Sequence, residues 1–342
     1  MRLKHICAAL SLISLANCAS IRHNAPKPFS FVVIGDTPYS AVDKPMLEQA
    51  KVNIKNGEYP FIIHIGDYKG GGAPCSAAHD LYQVNLIKDL APLPVFYTPG
   101  DNEWTDCDRF DDPKTGKKHS ELERLDSVRR LFFARAPIHS KPLHYRQQAV
   151  QRENTTWRYN GVRFLNLHIT GTNNSRDWVN GDSLARALTA VTARDKANLL
   201  WLKTAFSKAK SEHAKALIIA IHADVTDIGK KSEDSMCTDV SASNKHPCDA
   251  FTDFRYALQN HAKNTSIPIL LIHGDTAPFT LNQKMAGEEA PNLWRLNAAG
   301  DAGIGRTGQA YGVHDVTIVN YNPRAEMPFS AAGLTTGKTP KQ

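Results

Sequence analysis

The chain has 342 residues, of which 41 are Lys or Arg and 34 are Asp or Glu, giving a formal net charge of +7. Apolar residues make up 42% of the chain and charged residues 22%, values typical of a soluble globular protein. This composition excludes a disordered chain, a collagen-like chain and a coiled coil. Because there is a single long apolar run, at the N-terminus, it also excludes a protein with several membrane spans.

The N-terminus predicts a targeting segment. A short basic region precedes the apolar stretch from Ile6 to Ala16, which is too short for a membrane span and is followed by small residues. Residues 1–20 are interpreted as a signal peptide, which makes the protein exported, either periplasmic or secreted. The sequence before Cys18 resembles a bacterial lipoprotein box, although Asn17 stands where Gly or Ala is usual. A membrane-anchored lipoprotein is therefore the alternative.

The first half of the remaining chain alternates short apolar runs with segments of helical spacing. The predicted strands are 29–34, 60–65 and 93–97. Each of them is stopped by a turn that contains glycine and aspartate, namely Gly35-Asp36, Gly66-Asp67 and Gly100-Asp101. The predicted helices are 41–55, 77–90 and 122–133.

The second half continues the same alternation. A hairpin is predicted over 156–169, because Asn160-Gly161 favours a tight turn. Further elements are a helix over 197–214, a strand over 216–221 before His222, a helix over 251–261, a strand over 267–272 before His273-Gly274-Asp275, and two late strands over 292–297 and 313–320. The pattern predicts an α/β fold with one domain over 28–325 and a polar C-terminal tail over 326–342.

Four cysteines remain after the leader, an even number in a chain predicted to reach an oxidising compartment. We favour disulfides Cys75–Cys107 and Cys237–Cys248 among the three possible pairings, because each pair lies in turn-rich sequence. A zinc site is the weaker alternative, because the chain has no C-x-x-C spacing.

Candidate metal ligands follow five predicted buried strands. Asp36, Asp67, Asp101 and His222 each follow one strand, and His273 with Asp275 follows another. The carboxyl ends of the strands in an open α/β sheet line one ligand crevice. Three carboxylates in one crevice repel each other unless a cation neutralises them, so the pattern indicates a site for a divalent metal.

The motifs around these residues resemble those of the calcineurin-like metallophosphoesterases. The resemblance rests on GDTPY at 35–39, GDYKGGG at 66–72, PGDNEW at 99–104, IHAD at 221–224 and IHGDT at 272–276. It implies a β-sandwich flanked by helices in four αββα layers. It also implies a two-metal site that hydrolyses a phosphomonoester or phosphodiester with a metal-activated water.

The chain departs from the family pattern at several positions. Pro38 stands where the first motif has a metal-binding histidine, and Asn102 stands where the third has the histidine that helps to protonate the leaving group. In the last motif one alignment puts Asp275 and Ala277 on the two histidines, and another puts His273 and Asp275 there. Tyr39 is similar to the metal-bound tyrosine of purple acid phosphatases but follows the first aspartate rather than the second, so we leave it out of the site.

The predicted site can be stated by role. The metal ligands are Asp36, Asp67, Asp101, His222, His273 and Asp275. The catalytic residues are Asp67, Asn102 and His222, and Asn102 and Lys69 are assigned to substrate binding. Since histidines are lost and carboxylates gained, Mg²⁺ or Mn²⁺ is favoured over zinc or iron, with one ion held tightly. The expected partner is a phosphorylated small-molecule substrate.

Two other readings compete with a hydrolase. The missing histidines favour a catalytically impaired relative that binds a metal or a phosphorylated ligand without turnover. The basic isoelectric point, near 9.0, raises nucleic-acid binding, but the basic residues are scattered and form no long run. No nucleic-acid partner is therefore expected.

Overall fold

The computed structural model describes residues 27–227, the backbone of 232–236, and residues 248–342. The predicted signal peptide, Cys18 and Cys237 lie outside the described residues. Within these ranges, no helix has the length and apolar character needed to span a membrane.

Sixteen strands and five right-handed α-helices make up the described part of the chain. The strands are β1 (Phe29–Ile34), β2 (Ile62–His64), β3 (Val95–Tyr97), β4 (Arg146–Gln147), β5 (Thr155–Tyr159), β6 (Val162–Asn166), β7 (Ala216–Ala220), β8 (Ser232–Met236), β9 (Cys248–Asp249), β10 (Ile269–His273), β11 (Thr280–Asn282), β12 (Leu293–Asn297), β13 (Gly300–Ile304), β14 (Ala310–Val313), β15 (Thr317–Tyr321) and β16 (Phe329–Gly333). The helices are α1 (Asp43–Asn56), α2 (Ala77–Asp89), α3 (Glu121–Phe132), α4 (Leu184–Ser211) and α5 (Thr252–Lys263).

Two large mixed sheets organise these elements. The first has the order β16-β15-β1-β2-β3, in which β1, β2 and β3 are parallel. The second has the order β11-β12-β10-β7-β6-β5-β4, in which β6, β7, β10 and β12 are parallel. The pairs β8-β9 and β13-β14 form two small separate sheets.

The two large sheets pack face to face around an aromatic core. Phe61, just before β2, and Phe96 of β3 contact Trp157 and Phe164 of the second sheet. The ring centroids are 3.9 Å apart for Phe96–Trp157 and 4.9 Å apart for Phe61–Phe164. Helices α1 and α2 cover the outer face of the first sheet, and α4 and α5 cover that of the second. The layers are therefore αββα, and the predicted fold class is confirmed.

The C-terminal segment 326–342, predicted as a polar tail, contains a strand of the first sheet. Residues 329–333 form β16, which pairs antiparallel with β15. Phe329 and Ala331 are buried against the core because alternate residues of the strand face inward. In the sequence, only the alternation over these five residues indicates a strand. The polar residues on both sides made the segment resemble a tail.

Candidate metal centre

Five of the six predicted ligands come together where the strand ends of the two sheets meet. Asp36, Asp67 and Asp101 follow β1, β2 and β3, whereas His222 and Asp275 follow β7 and β10. Two hydrogen bonds tie the sheets at this edge. The backbone N–H of Asp275 donates to Asp36 Oδ1 at 3.0 Å, and His222 Nδ1 lies 2.8 Å from the carbonyl oxygen of Ile65.

His222 is shared by two groups of potential ligands. Asp36, Asp67 and His222 form one group, and Asp101, His222 and Asp275 form the other; within each group the ligand atoms lie within 4.8 Å of one another. Since Nδ1 of His222 donates to a backbone carbonyl, its Nε2 is the nitrogen that faces the carboxylates. The distances from Nε2 are 3.4 Å to Asp101 Oδ1, 3.5 Å to Asp67 Oδ1 and 3.7 Å to Asp275 Oδ1.

The electrostatics of the cluster favour a bound cation. Burial raises the pKa of Asp36 to about 7 and that of Asp275 to about 6, and it raises the pKa of Asp67 well above its usual range. Burial opposes the charge of His222, but the surrounding carboxylates hold its pKa well above the usual range. Burial also acts to raise the pKa of Asp101, but its contact with His222 outweighs burial and lowers that pKa. A divalent cation would stabilise the ionised form of all four acids.

Two buried polar atoms of the cluster fit a metal directly. Asp101 Oδ1 and His222 Nε2 are both buried and lie 3.4 Å apart, and neither makes a well-aligned hydrogen bond with any described residue. Buried polar atoms that are only weakly hydrogen-bonded cost free energy, which ligation of a metal would recover. The residues present thus fit a divalent ion, held mainly by carboxylate oxygens.

Glycines allow the loops to approach the carboxylates closely. A Cβ at Gly100 would collide with the carboxylate of Asp67, and a Cβ at Gly274 would collide with that of Asp36. These two positions therefore need a residue without a side chain. The Gly-Asp motifs of the sequence have this packing role in addition to their turns.

His273 lies outside both groups. Its Nδ1 is 2.9 Å from the carbonyl oxygen of Gly274, and its Nε2 is 3.9 Å from Asp224 Oδ1. After β10 the chain turns through Gly274 into Asp275, whose φ is +67°, so the two side chains do not point to the same place. Of the two alternatives for the last motif, the structure brings Asp275 to the cluster and leaves His273 beside Asp224.

Asn102 lies in the cluster but its amide is already engaged. The side-chain Nδ2 donates to Asp67 Oδ2 and, at 3.2 Å, to the hydroxyl oxygen of Tyr39. Its backbone N–H donates to Asp67 Oδ1 at 3.0 Å. Asn102 therefore orients Asp67. The contact of Asn102 with substrate stays a prediction from the sequence.

Lys69 is buried and its ammonium group points into its own loop. The Nζ atom donates to the carbonyl oxygens of Ala73 at 2.9 Å and Gly70 at 3.4 Å. Burial lowers its pKa. These bonds stabilise the glycine-rich loop after Asp67, and the structure does not bring Lys69 together with the ligand groups.

Three residues that sequence reasoning left out of the site contact its ligands. Tyr39 donates its hydroxyl to Asp67 Oδ2 at 2.7 Å and lies 3.3 Å from Asp36 Oδ1. The buried carboxylate of Glu103 accepts hydrogen bonds from the backbone N–H groups of Gly100 at 2.7 Å and Asp67 at 3.1 Å. The motif GDTPY contained the signal for Tyr39, but its distance from Asp67 depends on tertiary packing.

The third of these residues is Thr172, which lies in an unusual left-handed turn. Residues 172–175 all have positive φ, between 52° and 58°, although none of them is glycine. Thr172 Oγ1 lies 2.7 Å from Asp101 Oδ2 and 3.0 Å from Asp106 Oδ1. Such strain persists only where the surrounding structure imposes it, and here it places a hydroxyl against a metal ligand.

A disulfide joins two loops of the cluster. Cys75 and Cys107 are bonded, with their Cα atoms 5.4 Å apart, which confirms this predicted pairing. It connects the loop after Asp67 to the 3₁₀ helix Thr105–Arg109, which follows Asp101. Cys248 is also disulfide-bonded, whereas Cys237, its predicted partner, lies outside the described residues.

No family model and no curated protein matches the chain. The chain does match several solved structures. PhoD aligns with 92% of this chain and 68% of its own, at 11% identity and a TM-score of 0.53. GAP50, described as the anchor in the inner membrane complex of Plasmodium, aligns with 92% of this chain and 87% of its own, at 12% identity and a TM-score of 0.48. A phosphatase from Mycoplasma pneumoniae aligns with 92% of each chain, at 12% identity and a TM-score of 0.39. The likeness to PhoD shows that the two chains share a fold.

Proposed function

We propose that the protein is an exported, metal-dependent phosphoesterase that hydrolyses a phosphorylated small molecule. The observation that carries the proposal is the buried cluster of four carboxylates around His222, with its two three-residue groups. The fold shared with PhoD supports it, because the cluster lies at the strand ends where this fold class places ligand sites.

The donor set favours a hard ion. Asp36, Asp67, Asp101 and Asp275 offer carboxylate oxygens, and His222 is the single imidazole of the two groups. Oxygen-rich sites prefer Mg²⁺ or Mn²⁺ to zinc. Because Pro38 and the outlying His273 each remove a nitrogen ligand, one ion would be held firmly and a second weakly.

A bound divalent ion would polarise the phosphoryl oxygens and lower the pKa of a water molecule. The side chains around it have distinct tasks. Asn102 and Tyr39 hold Asp67 in one orientation, and Thr172 does the same for Asp101. His222 is held by the Ile65 carbonyl with Nε2 toward the carboxylates, where it would bind the ion. The geometry is thus fixed before the substrate arrives.

The decisive experiment measures metal content and hydrolysis together. Purified protein is stripped with a chelator, reloaded with Mg²⁺, Mn²⁺ or Zn²⁺, and assayed with aryl phosphate monoester and diester substrates. We expect activity to return with Mg²⁺ or Mn²⁺ and to fall by at least about a hundredfold in Asp67→Asn, since a displaced ion removes several kcal/mol of transition-state stabilisation. Asp126→Asn, at an exposed ion pair on α3, is the matched control.

A second candidate function is metal-dependent binding without turnover. It is favoured by Asn102, which replaces an acid–base histidine and whose amide is bonded to Asp67. Equal rates in the wild type and Asp67→Asn, with tight metal-dependent phosphate binding in the wild type alone, would establish this candidate and eliminate the hydrolase.

Export is tested separately. A mature N-terminus at or near residue 20, found by mass spectrometry of protein from the native compartment, is the outcome we expect. A lipid on Cys18 would identify the lipoprotein form, and an intact Met1 on the native protein would contradict export.

A further inference from the structure

A second charged site lies away from the metal centre, on the outer face of the second sheet. A cavity of about 390 Å³ opens between strands β4–β6 and the C-terminal half of α4. Trp157 of β5 points into the core, so its neighbours Thr156 and Arg158 point outward into this cavity. We call it the arginine cavity; its charged lining residues are Arg146, Arg158, Arg163, Lys208 and Glu212.

The arrangement of two arginines in this cavity is unfavourable for the bare protein. Arg158 and Arg163 are directly opposite each other in the antiparallel pair β5–β6. Like charges in such a pair destabilise a sheet. Glu212 lies between them, 3.6 Å from Arg158 Nη1 and 3.1 Å from Arg163 Nε. The Glu212 carboxylate is therefore the shared ion-pair partner of both guanidinium groups.

The charges of the cavity do not balance. Arg163 is nearly buried, and Glu212 and the hydroxyl of Thr156, 2.8 Å from Nη1, satisfy it. After Glu212 is matched to Arg163, three cations remain: Arg146, Arg158 and Lys208. Among the described residues that line the cavity, Glu212 is the only acid. The cavity thus holds a surplus of positive charge in a concave site.

The arginine cavity is separate from the metal centre. Arg163 is the second residue of β6, whereas the metal ligands follow the carboxyl ends of β7 and β10, which run parallel to β6. The cavity lies on the outer face of β5 and β6, the metal ligands lie beyond the strand ends where the two sheets meet, and the two sites share no residue. An adjoining hollow of about 440 Å³, which shares Arg158, Arg163 and Glu212, extends the cavity toward the β5–β6 turn and not toward the metal centre.

We propose that the arginine cavity binds a small oxyanion with at least two negative charges, of the phosphate or pyrophosphate class. Guanidinium groups match such oxygens with paired hydrogen bonds. The ligand would supply the negative charge that Glu212 alone lacks and would relieve the repulsion between Arg158 and Arg163. This site is independent of the proposed hydrolase activity.

The test is calorimetric titration of the full chain with inorganic pyrophosphate, in the presence of a chelator. Without a metal, the buried carboxylates of the metal centre repel anions, so that the arginine cavity dominates the signal. We expect saturable binding, weaker for inorganic phosphate, and a rise in Tm on adding pyrophosphate. Arg158→Gln and Arg146→Gln should each weaken binding by about tenfold, the loss of one charge-assisted hydrogen bond.

Arg130→Gln is the matched control, because it removes the same charge from an exposed position on α3. It should bind pyrophosphate as the wild type does. Arg158→Gln should remain folded, with a Tm close to that of the wild type, since it removes both the repulsion by Arg163 and a half-exposed ion pair with Glu212. Absence of saturable binding by the wild type, or equal affinity in Arg158→Gln and Arg130→Gln, would overturn the proposal.

Discussion

The candidate metal centre and the arginine cavity concentrate opposite charges in separate regions of the molecule, and they differ in how that charge is balanced. In the metal centre four carboxylates face one imidazole, and no side chain of a basic residue is bonded to them among the described contacts. In the arginine cavity Glu212 is part of the fold and neutralises about one charge of four. A bound cation would thus balance the charge of the proposed metal centre, whereas the charge of the cavity is partly balanced by its own residue.

This difference makes the two sites respond oppositely to the loss of one carboxylate. Asp275→Asn removes an excess charge, so we expect the metal-free protein to gain roughly 1 kcal/mol of unfolding free energy. The same change should abolish most of the stabilisation by Mg²⁺ or Mn²⁺, which is about 3–4 kcal/mol for the wild type at 100 to 1,000 times Kd. Denaturant unfolding with and without metal measures both effects.

Asp126→Asn serves again as the control and should change neither quantity by more than about 0.5 kcal/mol. If Asp275→Asn lost stability without metal and still responded fully to metal, the carboxylate would be structural and the comparison between the sites would fail.

Glu212→Gln, in the arginine cavity, should lower the free energy of unfolding, whereas Asp275→Asn should raise it. It leaves the nearly buried Arg163 without its carboxylate and next to Arg158, so we expect a loss of about 2–3 kcal/mol of unfolding free energy, less than for a fully buried pair because Glu212 is a quarter exposed. Pyrophosphate should restore part of this loss, because it replaces the missing charge. Unfolding curves with and without pyrophosphate measure both effects, and Glu326→Gln, at an exposed position, is the control.

The sequence predicted those members of the carboxylate cluster that have local signals. An apolar run followed by Gly-Asp or by histidine identifies a strand end, and Asp36, Asp67, Asp101, His222 and Asp275 all follow this rule. Contacts made by tertiary packing leave no such pattern. Glu103 supports the backbone of the Asp67 loop from the next strand end, which no spacing indicates.

Neither the arginine cavity nor the left-handed turn could be predicted from the sequence, and the reasons are related. Arg158 and Arg163 become neighbours only through the register of the hairpin, although the hairpin and its Asn160-Gly161 turn were predicted. Residues 172–175 consist of Thr, Asn, Asn and Ser, which favour a turn but do not predict four successive positive φ angles. Strain of that kind is imposed by surrounding contacts rather than by local preference.

Thr172 offers the finest test of how the metal centre is held in place. Thr172→Val keeps the shape but removes the hydroxyl that contacts Asp101 and Asp106. We expect a loss of about 1–2 kcal/mol of stability, since the one proton that these two buried carboxyl groups share is lost. Hydrolysis should fall by about tenfold, with weaker metal affinity, because Asp101 is no longer held in position. Titration of metal against rate separates the two effects.

Thr172→Ser is the conservative control for this position. It retains the hydroxyl and relieves the crowding of a β-branched residue at positive φ, so its metal affinity should match that of the wild type and its stability should be equal or slightly higher. If the serine variant lost metal as readily as the valine variant, the methyl group rather than the hydroxyl would position Asp101. The turn would then hold Asp101 through van der Waals contact, and the hydrogen bond from Thr172 would not be needed to position this carboxylate.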